Sequence, residues 1–178
     1  MKALEIDLTA LPHGKSQIDA EVPPGELQLE GEDFEFAEPL RVDLEVDVRE
    51  KEIAFSGWIL APGRTECSRC LTPFDREIRA PFTLSVHRVE GDSPVWTEEG
   101  EDETTRLLPR ATVRLDITDD VRSALLLALP IRFLCREDCR GLCPRCGVDL
   151  NQGACDCAPL NVDPRWEALR GLRRPSTS

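Results

Sequence analysis

The chain reads as an α+β fold: mainly antiparallel β-sheet, one core helix over about 119–129, and a C-terminal cysteine-rich segment ending in a short helix. Three observations lead there. Apolar and charged side chains alternate strictly through Leu40–Val48, the period lengthens to three and four residues after Thr118, and six of the eight cysteines fall between Cys135 and Cys157. At 178 residues the chain is expected to form one domain. Residues 1–134 supply a β-rich body, and residues 135–178 a cysteine knuckle and helix packed on it.

Residues 3–8 alternate apolar and acidic side chains, the period of a half-buried strand. Pro- and Gly-rich sequence around Leu11–Gly14 and Pro23–Gly25 reads as loop. Leu40, Val42, Leu44, Val46 and Val48 give the clearest strand one buried face. The run Ile53–Leu60 pairs with it antiparallel, because the link through Arg49-Glu50-Lys51 is too short for a parallel crossover. Cys67-Ser-Arg-Cys70 then precedes another β-like run, Phe82–Val89, so this cysteine pair belongs at a tip between strands. Residues 90–106 carry seven acids and one base; their self-repulsion and low apolar content predict a mobile acidic loop. Alternation returns over Arg110–Ile117. A helix follows, with Thr118 as N-cap and Asp119 and Asp120 near the positive end of its dipole. Val121, Ala124, Leu125, Ala128 and Leu129 make its apolar stripe, and Pro130 ends it. Asp163-Pro164 looks like the start of a last helix, whose Arg165, Arg170, Arg173 and Arg174 form a basic fringe. Such a fringe can grip RNA or simply complement the negative end of the dipole.

The cysteines carry the chemistry. Cys143-Pro-Arg-Cys146 has the two-residue gap that lets one turn offer two sulfurs to one ion, and thiolates hold zinc tetrahedrally. Pro144 presets φ in that turn, and Gly147 lets the chain fold back so that amide N–H groups approach the sulfurs. Cys67 and Cys70 repeat the gap upstream. Disulfides are the alternative, but they need an oxidising compartment, and the first residues have no apolar stretch of signal-peptide length. The gaps do not match ferredoxin runs, and no βαβ pattern frames a redox dithiol. Eight thiols suffice for one or two structural Zn2+ ions. In the preferred division Cys143, Cys146, Cys155 and Cys157 form a local knuckle, while Cys67, Cys70, Cys135 and Cys139 tie the segment to the sheet. In the other, one ion takes four of the six clustered thiols. Residues 135–160 hold few large apolar side chains, so metal and not a core is expected to order them.

Charge narrows the partners. The net charge is −12, with 34 acidic against 22 basic residues, yet residues 131–178 hold eight Arg against six acids, leaving −14 for residues 1–130. Broad nucleic-acid binding is disfavoured, and any RNA contact belongs to the C-terminal third. No apolar run approaches membrane-spanning length, so a soluble protein is expected. An all-cysteine site is closed, only His13 and His87 are present, and no phosphate loop or nucleophile elbow appears. These features argue against an enzyme and against a small-molecule substrate.

Cys67-Ser-Arg-Cys70-Leu-Thr-Pro-Phe74, Asp119–Pro130, Cys135-x3-Cys139-Arg-Gly-Leu-Cys143-Pro-Arg-Cys146-Gly-Val-Asp-Leu-Asn151, Cys155-Asp-Cys157 and Asp163-Pro-Arg165 together closely resemble the YceD family. These are bacterial and plastid proteins described as large ribosomal RNA subunit accumulation proteins. The similarity runs from about Leu40 to Leu172. It implies a non-catalytic cytoplasmic role in keeping large-subunit ribosomal RNA, or its precursor, at normal levels. Two classes follow: a zinc-binding ribosome-biogenesis factor touching precursor RNA or a ribosomal protein, and an acidic adaptor that recruits a ribosomal protein or processing enzyme without binding RNA.

Overall fold

A computed structural model describes residues 4–29, 34–36, 38–90, 95–98, 104–157 and 165. In chain order the elements are β1 (Glu5–Asp7), β2 (Gly14–Val22), a 3-10 turn (Pro24–Leu27), β3 (Phe34–Glu35), β4 (Leu40–Val48), β5 (Glu52–Glu66), β6 (Pro73–Val89), β7 (Val95–Glu98), β8 (Thr104–Pro109), β9 (Arg114–Asp116) and α1 (Thr118–Ala128). The main sheet runs β2-β4-β5-β6-β8-β7, with β3 paired to the upper part of β5, and β1 and β9 form a separate antiparallel pair.

The hairpin of β5 and β6 is the spine of the molecule. Its ladder runs unbroken from Glu52↔His87 to Glu66↔Pro73, and the predicted β4–β5 hairpin pairs from Val48↔Ile53 to Arg41↔Leu60. Alternation sorts the faces. Leu40, Val42, Leu44 and Val46 point into the core, where Phe55, Ile59, Leu84 and Val86 meet them, each buried. On the far face Trp58 stays half exposed and Arg79 lies over its ring, 3.9 Å from the centroid. Helix α1 packs against β6, burying Val121 and Leu125. Burying each such side chain contributes about 1.5–3 kcal/mol before ordering costs.

Several expectations change. The stretch after Leu11 does not stay loop: Gly14–Val22 pairs along its whole length with β4. Its alternation is dilute, with Ile18, Ala20 and Val22 in the inward slots but Ser16 among them, and pairing to a strongly patterned neighbour completes it. The acidic stretch 90–106 is not all loop either. Strand β7 runs antiparallel to β8, and β8 inserts parallel to β6 from Ser85↔Thr105 to Val89↔Pro109. Ladder bonds to an existing strand offset the charge repulsion that argued for a mobile segment, and β8 brings buried Thr105 and Leu108 with it. The helix cap also moves. Ile117 occupies the N-cap position without a side-chain bond, and Asp116 Oδ1 accepts from the Thr118 backbone N–H at 2.9 Å. An aspartate one residue before the cap takes the role expected of Thr118. The C-terminal helix expected after Asp163 lies outside the described residues.

After α1, Leu129 turns extended (φ −64°, ψ 128°), as a residue before proline must. Phe133 then stacks on Phe34, with ring centroids 5.4 Å apart, and its carbonyl accepts from the Ser68 N–H at 2.8 Å. These two contacts bring the chain leaving the helix to the tip of the β5–β6 hairpin.

Candidate metal centres

The tip itself is a tight turn. Leu71 N–H donates to the Cys67 carbonyl at 2.8 Å and Cys67 N–H to that of Thr72 at 3.0 Å, so the two cysteine side chains leave the turn on one side. Residues 135–139 approach that side. Arg69 Nη1 donates to the Cys139 carbonyl at 2.7 Å and to that of Glu137 at 3.3 Å, and Leu142 N–H to the Arg69 carbonyl at 3.1 Å. Four sulfurs meet as a result. Cys67, Cys70, Cys135 and Cys139 place theirs within 4.8 Å of one another, with Cys67 to Cys139 at 3.7 Å and Cys70 to Cys135 at 3.8 Å. Phe74, Leu134 and Leu142 pack around the cluster. Cys67, Cys70 and Cys139 are buried and Cys135 is exposed.

The second cluster repeats the turn. Gly147 N–H donates to the Cys143 carbonyl at 2.9 Å, the counterpart of the Leu71 bond. The residue after the second cysteine is left-handed in both turns, Leu71 at φ 59° and Gly147 at φ 73°. Leucine at that angle is strained where glycine is not. Cys143, Cys146, Cys155 and Cys157 bring their sulfurs within 4.8 Å of one another, and Cys143 to Cys155 is 3.4 Å. This cluster is less enclosed, with Cys146 exposed and Cys155 and Cys157 half-buried.

The chemistry of both sets fits a divalent ion. Zinc–sulfur bonds of about 2.3 Å at tetrahedral angles put neighbouring sulfurs about 3.8 Å apart, close to the separations found. All eight cysteines are free, so the disulfide alternative has no pair here. Amide N–H groups supply the second requirement. Burial pushes the Cys67 thiol up, but N–H donors of Cys135, Cys70 and Arg69 outweigh it and bring Cys67 down to about 6. The N–H groups of Cys146 and Arg145, with the Cys155 thiol, bring Cys143 down to about 6. Each cluster then forces a partner the other way: desolvation and the neighbouring thiols push Cys135 up to about 12, and Cys146 foremost does the same to Cys157. Each lowered thiol, Cys67 and Cys143, sits among three further sulfurs, an arrangement that suits a cation. Either cluster can hold a metal ion.

The sequence reading named all eight cysteines, and the structure assembles them in the preferred four-and-four division. Of the four arginines singled out, Arg165 is described and exposed; Arg170, Arg173 and Arg174 lie outside the described residues. The reading missed Asn151. Its Nδ2 donates to Cys139 Sγ at 3.4 Å and to Asp149 Oδ1 at 2.6 Å, and its Oδ1 accepts from the Arg140 N–H at 2.8 Å and Arg136 Nη2 at 2.7 Å. An asparagine between two cysteines of one cluster carries no signal that it serves the other.

The region that carries both clusters is also the region similar to known proteins. The signature of a family described as "Large ribosomal RNA subunit accumulation protein YceD" matches residues 56–173. An uncharacterized protein of Mycobacterium tuberculosis (strain H37Rv) is 31% identical over 138 residues, 78% of this chain and 64% of the relative. The chain therefore spans just under two thirds of that relative's length. The protein YlbN of Bacillus subtilis (strain 168), also uncharacterized, is 27% identical over 175 residues, 97% of this chain and 96% of its own. A chloroplastic protein of Arabidopsis thaliana, named large ribosomal RNA subunit accumulation protein YCED homolog 1, is 25% identical over 162 residues, 79% of this chain and 50% of its own. No solved structure matches. With the match running from the middle of β5 through both cysteine clusters, the chain belongs to the YceD family of large ribosomal RNA subunit accumulation proteins.

Proposed function

We propose that this chain is a non-enzymatic ribosome-biogenesis factor that holds two structural Zn2+ ions and supports the synthesis, processing or accumulation of large-subunit ribosomal RNA. The observation that carries the reading is the pair of four-sulfur clusters inside the region that matches the family. Cys67, Cys70, Cys135 and Cys139 hold one ion and Cys143, Cys146, Cys155 and Cys157 the other. The metal supplies cross-linking and no reaction step, since all-thiolate coordination is closed. It folds residues 135–157 against the hairpin tip, where apolar side chains alone are too few.

The partner is precursor RNA of the large subunit, or a ribosomal protein bound to it, met in the cytoplasm through the C-terminal third. That third holds a surplus of arginine in an otherwise acidic chain, with Arg165, Arg170, Arg173 and Arg174 as contacts. No helix among the described residues is long and apolar enough to cross a membrane. Two measurements test the reading together. Elemental analysis of freshly purified protein is expected to find two zinc ions per chain, and crosslinking in cells followed by sequencing is expected to recover large-subunit precursor RNA. Retained pull-down of a ribosomal protein without any crosslinked RNA would favour the adaptor class instead.

A further inference from the structure

We propose that the two cysteine clusters load as one coupled unit, and that Asn151 is the positioning residue through which filling the second cluster tightens the first. The inference rests on the zinc reading above and goes beyond it. Asn151 belongs by sequence to the second cluster, in the loop between Cys146 and Cys155. Three of its four side-chain partners belong to the first: the Cys139 sulfur, the Arg140 N–H and the Arg136 guanidinium. Its orientation is set by chemistry. A backbone N–H and a guanidinium can only face the amide oxygen, and the Asp149 carboxylate can only face the NH2 group. The second N–H is thereby aimed at Cys139, so all four hydrogen-bonding positions of the amide are used.

Asp149 completes the device. Its Oδ1 accepts from the Asn151 backbone N–H at 2.9 Å and from the Asn151 side chain, and its residue bridges to Leu142, next to Cys143. The Asn151 N–H is the leading cause that holds the Asp149 carboxyl below its ordinary range. Closing Cys143, Cys146, Cys155 and Cys157 on one ion fixes both ends of the loop that carries Asn151. The fixed amide then donates to the Cys139 sulfur of the first cluster, where such a bond favours the deprotonated, metal-binding form and fixes the direction of the ligand. By linkage the coupling is reciprocal: what the second ion does for the first, the first does for the second. Backbone bonds also cross between the clusters, Leu150 N–H to the Gly141 carbonyl at 2.9 Å among them. Those bonds dock the segments. Asn151 is the contact that reaches a sulfur.

The test is a thermodynamic cycle on the full chain. Affinity of the first cluster is measured by zinc competition against a chromophoric chelator, and cadmium NMR separates the two bound ions. Asn151→Ala is expected to weaken the first site about 10–100-fold, as loss of an outer contact to a metal ligand does, and, by the same reciprocity, to weaken the second site by the same factor while the first is filled. Cys155→Ser with Cys157→Ser is expected to weaken the first site by a similar factor. Combining all three changes is expected to cost no more than about threefold beyond either alone. The cadmium signal of the first site is also expected to shift in Asn151→Ala, which a merely structural role would not produce. Coupling through Asn151 is overturned if Asn151→Ala leaves the first site within about threefold of the parent, or if the two effects multiply. Two bound ions without the cycle sink the coupling alone, whereas no bound ion in the parent chain sinks the zinc reading with it.

Discussion

At the scale of single residues, the two cysteine turns are a matched pair that differ in one side chain. Leu71 and Gly147 hold the same left-handed angle and donate the equivalent hydrogen bond. A left-handed residue other than glycine costs about 1–2 kcal/mol, and glycine loses about 0.5–1 kcal/mol more backbone entropy on folding. Leu71→Gly is therefore expected to raise stability by about 0–1.5 kcal/mol and Gly147→Leu to lower it by about 0–1.5 kcal/mol; urea unfolding of the metal-loaded chain reads both. Gly141 is more constrained still, since at φ 74° its Cβ would lie 2.9 Å from the Arg69 carbonyl oxygen. The cap of α1 offers a second contrast. Asp116→Ala removes the acceptor for the Thr118 N–H and is expected to cost about 0.5–2 kcal/mol, while Thr118→Ala costs less than half of that.

At the scale of elements, the long β5–β6 hairpin and the chain leaving α1 form one support for the first cluster. The hairpin presents Cys67 and Cys70, and Phe133 pins the incoming segment through its ring and its carbonyl. The sheet has its own core, whereas residues 135–157 bury little beyond Cys139 and Cys143. A structural zinc contributes on the order of 10–16 kcal/mol of apparent binding free energy, comparable to a whole domain's stability. Adding a strong chelator is expected to expose amides of residues 135–157 first while β4, β5 and β6 stay protected, as amide exchange would show. Simultaneous loss of protection in the sheet would mean that the metal holds up the entire fold. Phe133→Ala is expected to cost about 3–5 kcal/mol and to speed release of the first ion more than that of the second, measured by chelator kinetics.

At the scale of the whole molecule, charge is divided between the two ends of the chain. Residues 1–130 carry −14 and residues 131–178 carry +2, so long-range repulsion disfavours a polyanion against the first part and not against the second. If precursor RNA binds there, affinity falls steeply with salt, each phosphate contact to single-stranded RNA contributing about 0.7 to the logarithmic slope. Changing Arg165, Arg170, Arg173 and Arg174 to Ala is expected to flatten that slope by up to about 3; filter binding across a salt series checks it. An unchanged slope would place the RNA contact elsewhere or remove RNA as a partner.

The strands with strict alternation, the helix and its proline stop, and the identity of all eight thiols were legible along the chain, because each rests on local period or on the chemistry of one residue type. Strand β2 was not, since its diluted pattern becomes a strand only beside Leu40–Val48. Nor was the hairpin of β7 and β8, where the composition of 90–106 spoke of repulsion and pairing to β6 overrode it. Spacing suggested the four-and-four division of the cysteines, but it took the hairpin tip meeting the chain after α1 to bring Cys67 and Cys70 to Cys135 and Cys139 across more than sixty positions. Asn151 was invisible for the same reason: a contact between residues far apart in role leaves no periodic trace, and only folding puts that amide against a sulfur.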